Sequence, residues 1–362
     1  MSTSRPASRQ PRRAGLSRTL AVLATALLGA GALTACGGAS GTGPADGDGP
    51  SVVASTTVYA DIARQVAGGN AEVESVISDP AADPHSYEAG PADAARVATA
   101  DLVVYNGGGY DSFVDLALAN AGDVPVVRAV DEYSRVTGEA APEHSHDHGD
   151  DAGHAGHDHA HDDDIPADNA ADDHGHSHDS ETNEHVWFSL PTTAAVAERV
   201  AEQLSELDPE HAEEYRANAR DFGGELSPLR AQLDEIHDRG HFTYAQTERI
   251  GAHLFDYAHM VDLTPAGFLS SVEDDTDPAA ADLAGLIDLL HKREVAFLAF
   301  NSQTETAVTA RVRDAAVEAG VVVVDLTETL PDGADYLTWM RDIVDDLTRA
   351  LSDATPEGDG GH

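Results

Sequence analysis

The sequence predicts an α/β protein of two parallel-sheet lobes joined by one long helix. Short β-branched runs alternate with stretches of helical spacing up to about residue 138, and the same alternation resumes near residue 240. Between them lies an amphipathic stretch long enough to cross the molecule. The chain has 362 residues, 41% of them hydrophobic, enough for one large domain or two of ordinary size.

Taken in order, residues 36–50 form a Gly- and Asp-rich flexible tether. The first lobe, 51–138, then opens with a strand at Ser51 to Ser55 and a helix at Val58 to Ala67. It continues with a strand at Val73 to Ile77, a helix at Pro91 to Ala98, and a strand at Leu102 to Tyr105. A helix from Asp111 to Ala121 and a strand from Val124 to Val127 close it. After residues 139–184, which break the pattern, residues 185–239 complete this lobe and supply the connection. That segment carries a helix from Thr192 to Leu207 and an amphipathic run from Pro209 to Ile236, with an interruption at Gly223-Gly224. The second lobe, 240–352, repeats the alternation: a strand at Phe242 to Ala245, helices at Arg249 to Tyr257 and Ala280 to Lys292, and a strand at Val295 to Phe300. A helix at Thr306 to Ala319, a strand at Val321 to Asp325 and a last helix at Tyr336 to Leu351 follow, and residues 353–362 are a disordered tail.

Charge excludes one large class of function. Lys plus Arg number 21 against 65 Asp plus Glu, a formal charge of -44, so a phosphate-neutralising, nucleic-acid-binding surface is ruled out and cations become the natural partners. The single cysteine, Cys36, forbids an intramolecular disulfide and any multi-cysteine metal site, so a metal here must be held by His and carboxylates.

The position of that cysteine has its own meaning. Five arginines precede an apolar run from Leu20 to Leu33, too short to span a bilayer core of about 30 Å, so residues 1–35 read as a cleavable export signal. The run ends in Leu33-Thr34-Ala35-Cys36, which resembles a bacterial lipobox whose cysteine is lipidated. An extracytoplasmic protein, lipid-anchored to the cell membrane, is expected. Arg12-Arg13 is only a partial twin-arginine signal, so the ordinary export route is favoured.

Ten histidines crowd the pattern-breaking segment 139–184: His144, His146, His148, His154, His157, His159, His161, His174, His176 and His178. Interleaved with Asp, Gly and Ala, they cannot bury enough apolar surface to offset ordering entropy, so a mobile loop is expected. Imidazoles with acidic neighbours suit labile capture of Zn²⁺.

Outside that segment, four short motifs carry the candidate chemistry. Asp83-Pro84-His85-Ser86-Tyr87-Glu88 follows a strand, where open α/β sheets present ligand-binding loops, although a lone His85 could equally be a surface residue. Glu184-His185-Val186-Trp187 puts a second histidine among apolar neighbours, as a core histidine would also be. Thr247-Glu248 and Asn301-Ser302-Gln303-Thr304-Glu305 each follow a strand, and either glutamate could be a mere helix N-terminal charge.

Together with the lipobox, the insertion and the segment from Thr327 to Met340, these motifs resemble the zinc- and manganese-type solute-binding lipoproteins of bacterial ATP-binding-cassette metal importers. The resemblance runs from about Ser51 to Leu351. It implies two Rossmann-like lobes joined by a long rigid helix, with the metal in the interlobe cleft on one residue from each of four loops. His85 and His185 match the two histidine positions, Glu248 the third and Glu305 the fourth. For the third ligand His253, His259 and His241 stand as alternatives. The resemblance further implies a monomer that is not an enzyme and that carries Zn²⁺, with Mn²⁺ or Fe²⁺ as the alternative, to a permease and its ATPase.

On the residues alone, two imidazoles and two carboxylates suit Zn²⁺ but also Mn²⁺ or Fe²⁺, and the histidine-rich insertion tips the balance to zinc. A zinc hydrolase is the competing class. It lacks an HExxH motif, an HxHxDH cluster and a Gly-x-Ser-x-Gly elbow, and four closed ligands would leave no vacancy for a substrate.

Overall fold

A computed structural model describes residues 49–140, 183–274 and 276–356. The export signal, Cys36 and all ten histidines of the insertion lie outside the described residues.

Each lobe is built on four parallel strands in the same order. In the first, β1 (Ser51–Ala54), β2 (Glu72–Ser75), β3 (Leu102–Tyr105) and β4 (Val126–Arg128) lie as β2-β1-β3-β4. Helices α1 (Thr57–Ala67), α2 (Pro91–Thr99) and α3 (Ser112–Leu118) make the crossovers, and α4 (Ala129–Thr137) follows β4 directly. In the second lobe, β5 (Thr243–Gln246), β6 (Val261–Asp262), β7 (Phe297–Asn301) and β8 (Val322–Leu326) lie as β6-β5-β7-β8. Around them run α8 (Ala252–Tyr257), α9 (Ala266–Glu273), α10 (Ala280–Lys292), α11 (Ala307–Ala319) and α12 (Tyr336–Ala350). Between the lobes come α5 (Leu190–Leu207), α6 (Ala212–Glu225) and α7 (Ser227–Asp238).

Why the strands read as unbroken apolar runs follows from their packing. Side chains alternate across a strand, and here both faces are covered. Val52 and Ala54 of β1 and Leu102 and Val104 of β3 face a central core, whereas Val53, Val103 and Tyr105 face a separate cluster with Phe113 and Val114 of α3. The second lobe repeats this, with Phe297 and Ala299 turned to the central core and Leu298 to a cluster with Leu286, Leu290 and Val312.

That central core is continuous from one lobe to the other. It joins Val58, Ile62 and Val66 of α1 to Val196, Val200 and Leu204 of α5, to Leu229 and Leu233 of α7, and to Tyr244, Phe255 and Met340 of the second lobe. The apolar residues of α1 recur at helical spacing, and the helix ends at Gly68, whose φ of 60° is left-handed and whose N–H closes on the Arg64 carbonyl. α12 starts where the Asp335 carboxylate accepts the Thr338 N–H at 2.7 Å, and it buries Tyr336, Trp339, Met340, Ile343, Val344 and Leu347 along one stripe.

The expected long connection is present, but its break falls later than Gly223-Gly224. Both glycines lie within α6, and the interruption is at Leu226, just ahead of Pro228 in the first turn of α7. Proline lacks an N–H and its ring crowds the carbonyl four residues earlier, which ends one helix and starts the next. Sequence periodicity also passes over α4, β6 and α9. β6 has two residues, too few to alternate, and α4 begins without a side-chain cap. Among the described residues no helix is long and apolar enough to cross a membrane.

Candidate metal centre

The carboxyl ends of the strands in both lobes face one point. Glu248 stands two residues beyond the end of β5, and Glu328 two residues beyond β8. His85 lies on the loop after β2, and His185 immediately precedes a 3-10 turn, Val186–Phe188, that leads into α5. One ligand atom from each of the four lies within 4.8 Å of every other.

The distances suit a small cation. His85 Nε2 is 3.1 Å from Glu328 Oε2 and 3.8 Å from Glu248 Oε1, and His185 Nε2 is 3.3 Å from Glu248 Oε1. Four ligands about 2.1 Å from a tetrahedral zinc would be separated by roughly 3.4 Å. Burial is uneven: the side chains of Glu328, His185 and Glu248 are 0%, 5% and 8% exposed, that of His85 32%. Among the described residues, buried His185 Nε2 and Glu328 Oε2 have no hydrogen bond of good geometry and face only the other members of the cluster, Glu248 Oε1 and His85 Nε2. Two buried carboxylates need a compensating positive charge. A divalent cation supplies that charge in full.

Without a metal, protons take this part. Burial pushes His85 down, but the carboxylates of Glu184 and Glu328 outweigh it and hold the imidazole well above its ordinary value. His185 is likewise raised, against its burial, by Glu248. Glu248 would be pushed up by burial, yet the two imidazoles and the Thr304 hydroxyl bring it down to about 2. The group can therefore exchange protons for a cation.

Sheet order explains which residue comes from β7. Because β7 lies between β5 and β8, its last residue, Asn301, sits between the two glutamates, and its amide Nδ2 donates to Glu248 Oε2 and Glu328 Oε1 at 2.8 Å each. Thr304 Oγ1 donates to the same Glu248 oxygen at 2.7 Å. Around the imidazoles, Tyr110 packs edge-on to His85 at 5.1 Å and Trp187 edge-on to His185 at 5.2 Å.

Three of the four expected ligands meet here, and Glu305 does not. It lies at the exposed entrance to α11, where its carboxylate faces Arg313 Nη1 at 3.4 Å. The strand end that supplies the fourth carboxylate is β8, through Glu328. The sequence carries a sign of it, since Thr327-Glu328 after β8 repeats Thr247-Glu248 after β5. The alternatives to Glu248 also lie elsewhere. His253 Nε2 donates to the Asn183 carbonyl at 2.9 Å, and His241 and His259 lie at the opposite, amino-terminal end of β5 and β6, where His241 Nδ1 meets the His259 carbonyl at 3.0 Å.

Burial pulls His253 down to about 4, which gives it a measurable consequence. The unfolded imidazole takes a proton near 6.5 and the folded one only near 4, so the unfolded state binds more protons in that window and stability falls as pH falls through it. Between pH 7 and pH 5 the loss is expected to be about 2 kcal/mol. Urea denaturation of His253→Gln should show that part of the acid sensitivity gone, and an unchanged pH profile would refute the assignment.

The family profile described as zinc-uptake complex component A, periplasmic, matches residues 52–350. The chain belongs to this family. It is 26% identical over 298 residues to the zinc-binding lipoprotein AdcA of Streptococcus pneumoniae, a match taking in 79% of this chain and 53% of that protein, so the chain spans about half the length of that relative. It is 25% identical over 278 residues to the manganese-binding lipoprotein MntA of Bacillus subtilis, covering 75% of this chain and 78% of the relative. In architecture it is similar to the periplasmic zinc-binding protein TroA from Treponema pallidum, with a TM-score of 0.61 at 18% identity over 84% of this chain and 99% of that one. The two lipoproteins are named for the metals they bind and not for a reaction, and the hydrolase alternative is set aside with them.

Proposed function

We propose that this zinc-uptake family member is the extracytoplasmic binding component of an ATP-binding-cassette importer, which captures Zn²⁺ between its lobes and delivers it to a membrane permease and its ATPase. The observation that carries the reading is the cluster of two imidazoles and two buried carboxylates, within which His185 Nε2 and Glu328 Oε2 have no hydrogen bond of good geometry among the described residues. The four ligands are His85, His185, Glu248 and Glu328. In this reading the ten histidines of the insertion collect ions and raise their local concentration, and a lipid on Cys36 holds the monomer at the membrane. Docking on a permease that contacts both lobes would open the site.

Zinc is favoured because the histidine-rich insertion adds much for a borderline ion and little for hard Mn²⁺. Mn²⁺ or Fe²⁺ is the second reading, favoured by Glu248, whose two oxygens permit a higher coordination number. Competition titrations decide between them: a single tight Zn²⁺ site displaced only weakly by Mn²⁺ is expected. Glu248→His should widen the preference for Zn²⁺ over Mn²⁺ by replacing a hard oxygen with an imidazole. Manganese binding tighter than zinc in the native protein would overturn the zinc assignment.

A further inference from the structure

We propose that Asn183 and Glu184 are the positioning residues for both imidazole ligands, so that three consecutive residues, 183–185, build the imidazole half of the site. An imidazole offers a metal only one nitrogen, and the partner of its other nitrogen decides which one and in what orientation. Here both Nδ1 atoms face acceptors from the same short segment. Glu184 Oε1 lies 3.1 Å from His85 Nδ1, and Asn183 Oδ1 lies 2.8 Å from His185 Nδ1. Asn183 Oδ1 also accepts the His185 backbone N–H at 3.1 Å, which fixes ring and backbone together. With a proton on each Nδ1, both Nε2 lone pairs turn toward Glu248 and Glu328.

The segment is itself held from both lobes. Asn106 Nδ2, at the end of β3, donates to the Glu184 carbonyl at 2.9 Å, and Tyr59 Oη bonds to the Asn106 side-chain oxygen. From the second lobe, the Arg249 carbonyl accepts Asn183 Nδ2 at 2.8 Å and His253 Nε2 donates to the Asn183 carbonyl at 2.9 Å. The anchors therefore have no slack to follow a rotating ring.

The choice of acceptors suits the burial of each ring. His85 is about a third exposed, where water competes for Nδ1–H, and its partner is a carboxylate, whose charge makes the stronger bond. His185 is buried, with the carboxylates of Glu184, Glu248 and Glu328 already around it, and its own Nδ1 partner is a neutral amide.

This inference rests on the cluster being a divalent-cation site, and the experiment separates the two. Calorimetric Zn²⁺ titration of the native protein, Asn183→Ala, Glu184→Ala and Glu184→Gln is expected to show affinity about 10- to 100-fold weaker in both alanine variants. Most of it should be recovered in Glu184→Gln, because a glutamine oxygen still accepts Nδ1–H. Long-range ¹H–¹⁵N spectra of the metal-free protein, at a pH alkaline enough to leave both rings neutral, should show the Nδ1–H tautomer at His85 and its loss in Glu184→Ala. Native affinity in Glu184→Ala, or a Glu184→Gln variant as weak as the alanine, would overturn the positioning role. No Zn²⁺ binding by the native protein would instead overturn the metal site itself.

Discussion

Glu328→Ala is expected to weaken Zn²⁺ binding by about 3 to 5 kcal/mol, a hundredfold to several-thousandfold, because it removes a ligand from a preformed site. The side chain is fully buried, and in the metal-free protein it is held by the Asn301 amide and the His85 imidazole. Truncation also leaves the Asn301 amide and the His85 imidazole short of an acceptor, so the metal-free variant should melt lower, and Glu328→Gln, which keeps the volume and an acceptor oxygen, separates a lost ligand charge from lost stability. Glu305→Ala should bind as the native protein does, since among the described residues that exposed carboxylate meets only Arg313 of α11. Isothermal titration of the two variants side by side distinguishes the two glutamates. The opposite result, with affinity lost in Glu305→Ala and kept in Glu328→Ala, would sink the ligand set.

Trp187→Ala should cost the fold about 3 to 5 kcal/mol in urea denaturation, the usual range for deleting a large aromatic side chain from a core. Trp187 is 1% exposed and lies against Tyr110 at 4.8 Å and Phe188 at 6.0 Å. Its carbonyl accepts Tyr336 Oη at 2.7 Å and Thr193 Oγ1 at 3.1 Å, so the turn after His185 is tied to both α12 and α5. Trp187→Phe should cost much less, because the buried indole N–H finds no partner in the native fold and its removal relieves a desolvation cost. Equal losses in the two variants would mean that the ring's packing contributes little.

The alternation of strands and helices was legible in the sequence because both faces of each sheet are buried, so every strand from β1 to β8 longer than three residues, apart from the charged edge strand β2, carries a recognisable apolar or β-branched run. His85, His185 and Glu248 were legible because each lies within a short motif, and His185 and Glu248 each stand directly before a 3-10 turn. Glu305 was a plausible fourth because it too follows a strand. What ranked Glu328 above it is the sheet order, in which β7 falls between β5 and β8 and its end is taken by a bridging asparagine. Strand order is a property of the folded chain, and no local spacing in β7 or β8 encodes it. The anchoring of the imidazoles was hidden for the same reason: Glu184 and His85 are far apart in sequence and meet only because the chain, after the insertion, returns to the end of β3 in the first lobe.

The unequal exposure of the four ligands has a consequence for traffic. Three are sealed by the protein interior and His85 alone meets water, on a loop pinned to the other lobe by the Gln303 side chain on the Ala82 carbonyl and by Thr329 Oγ1 on the Pro80 carbonyl at 3.2 Å. If the four residues hold an ion as proposed, the His85 side is its most exposed approach among the described residues. On the proposed function, release toward that side would have to loosen those two bonds, which would make the loop from Pro80 to Ala82 the place where holding gives way to release.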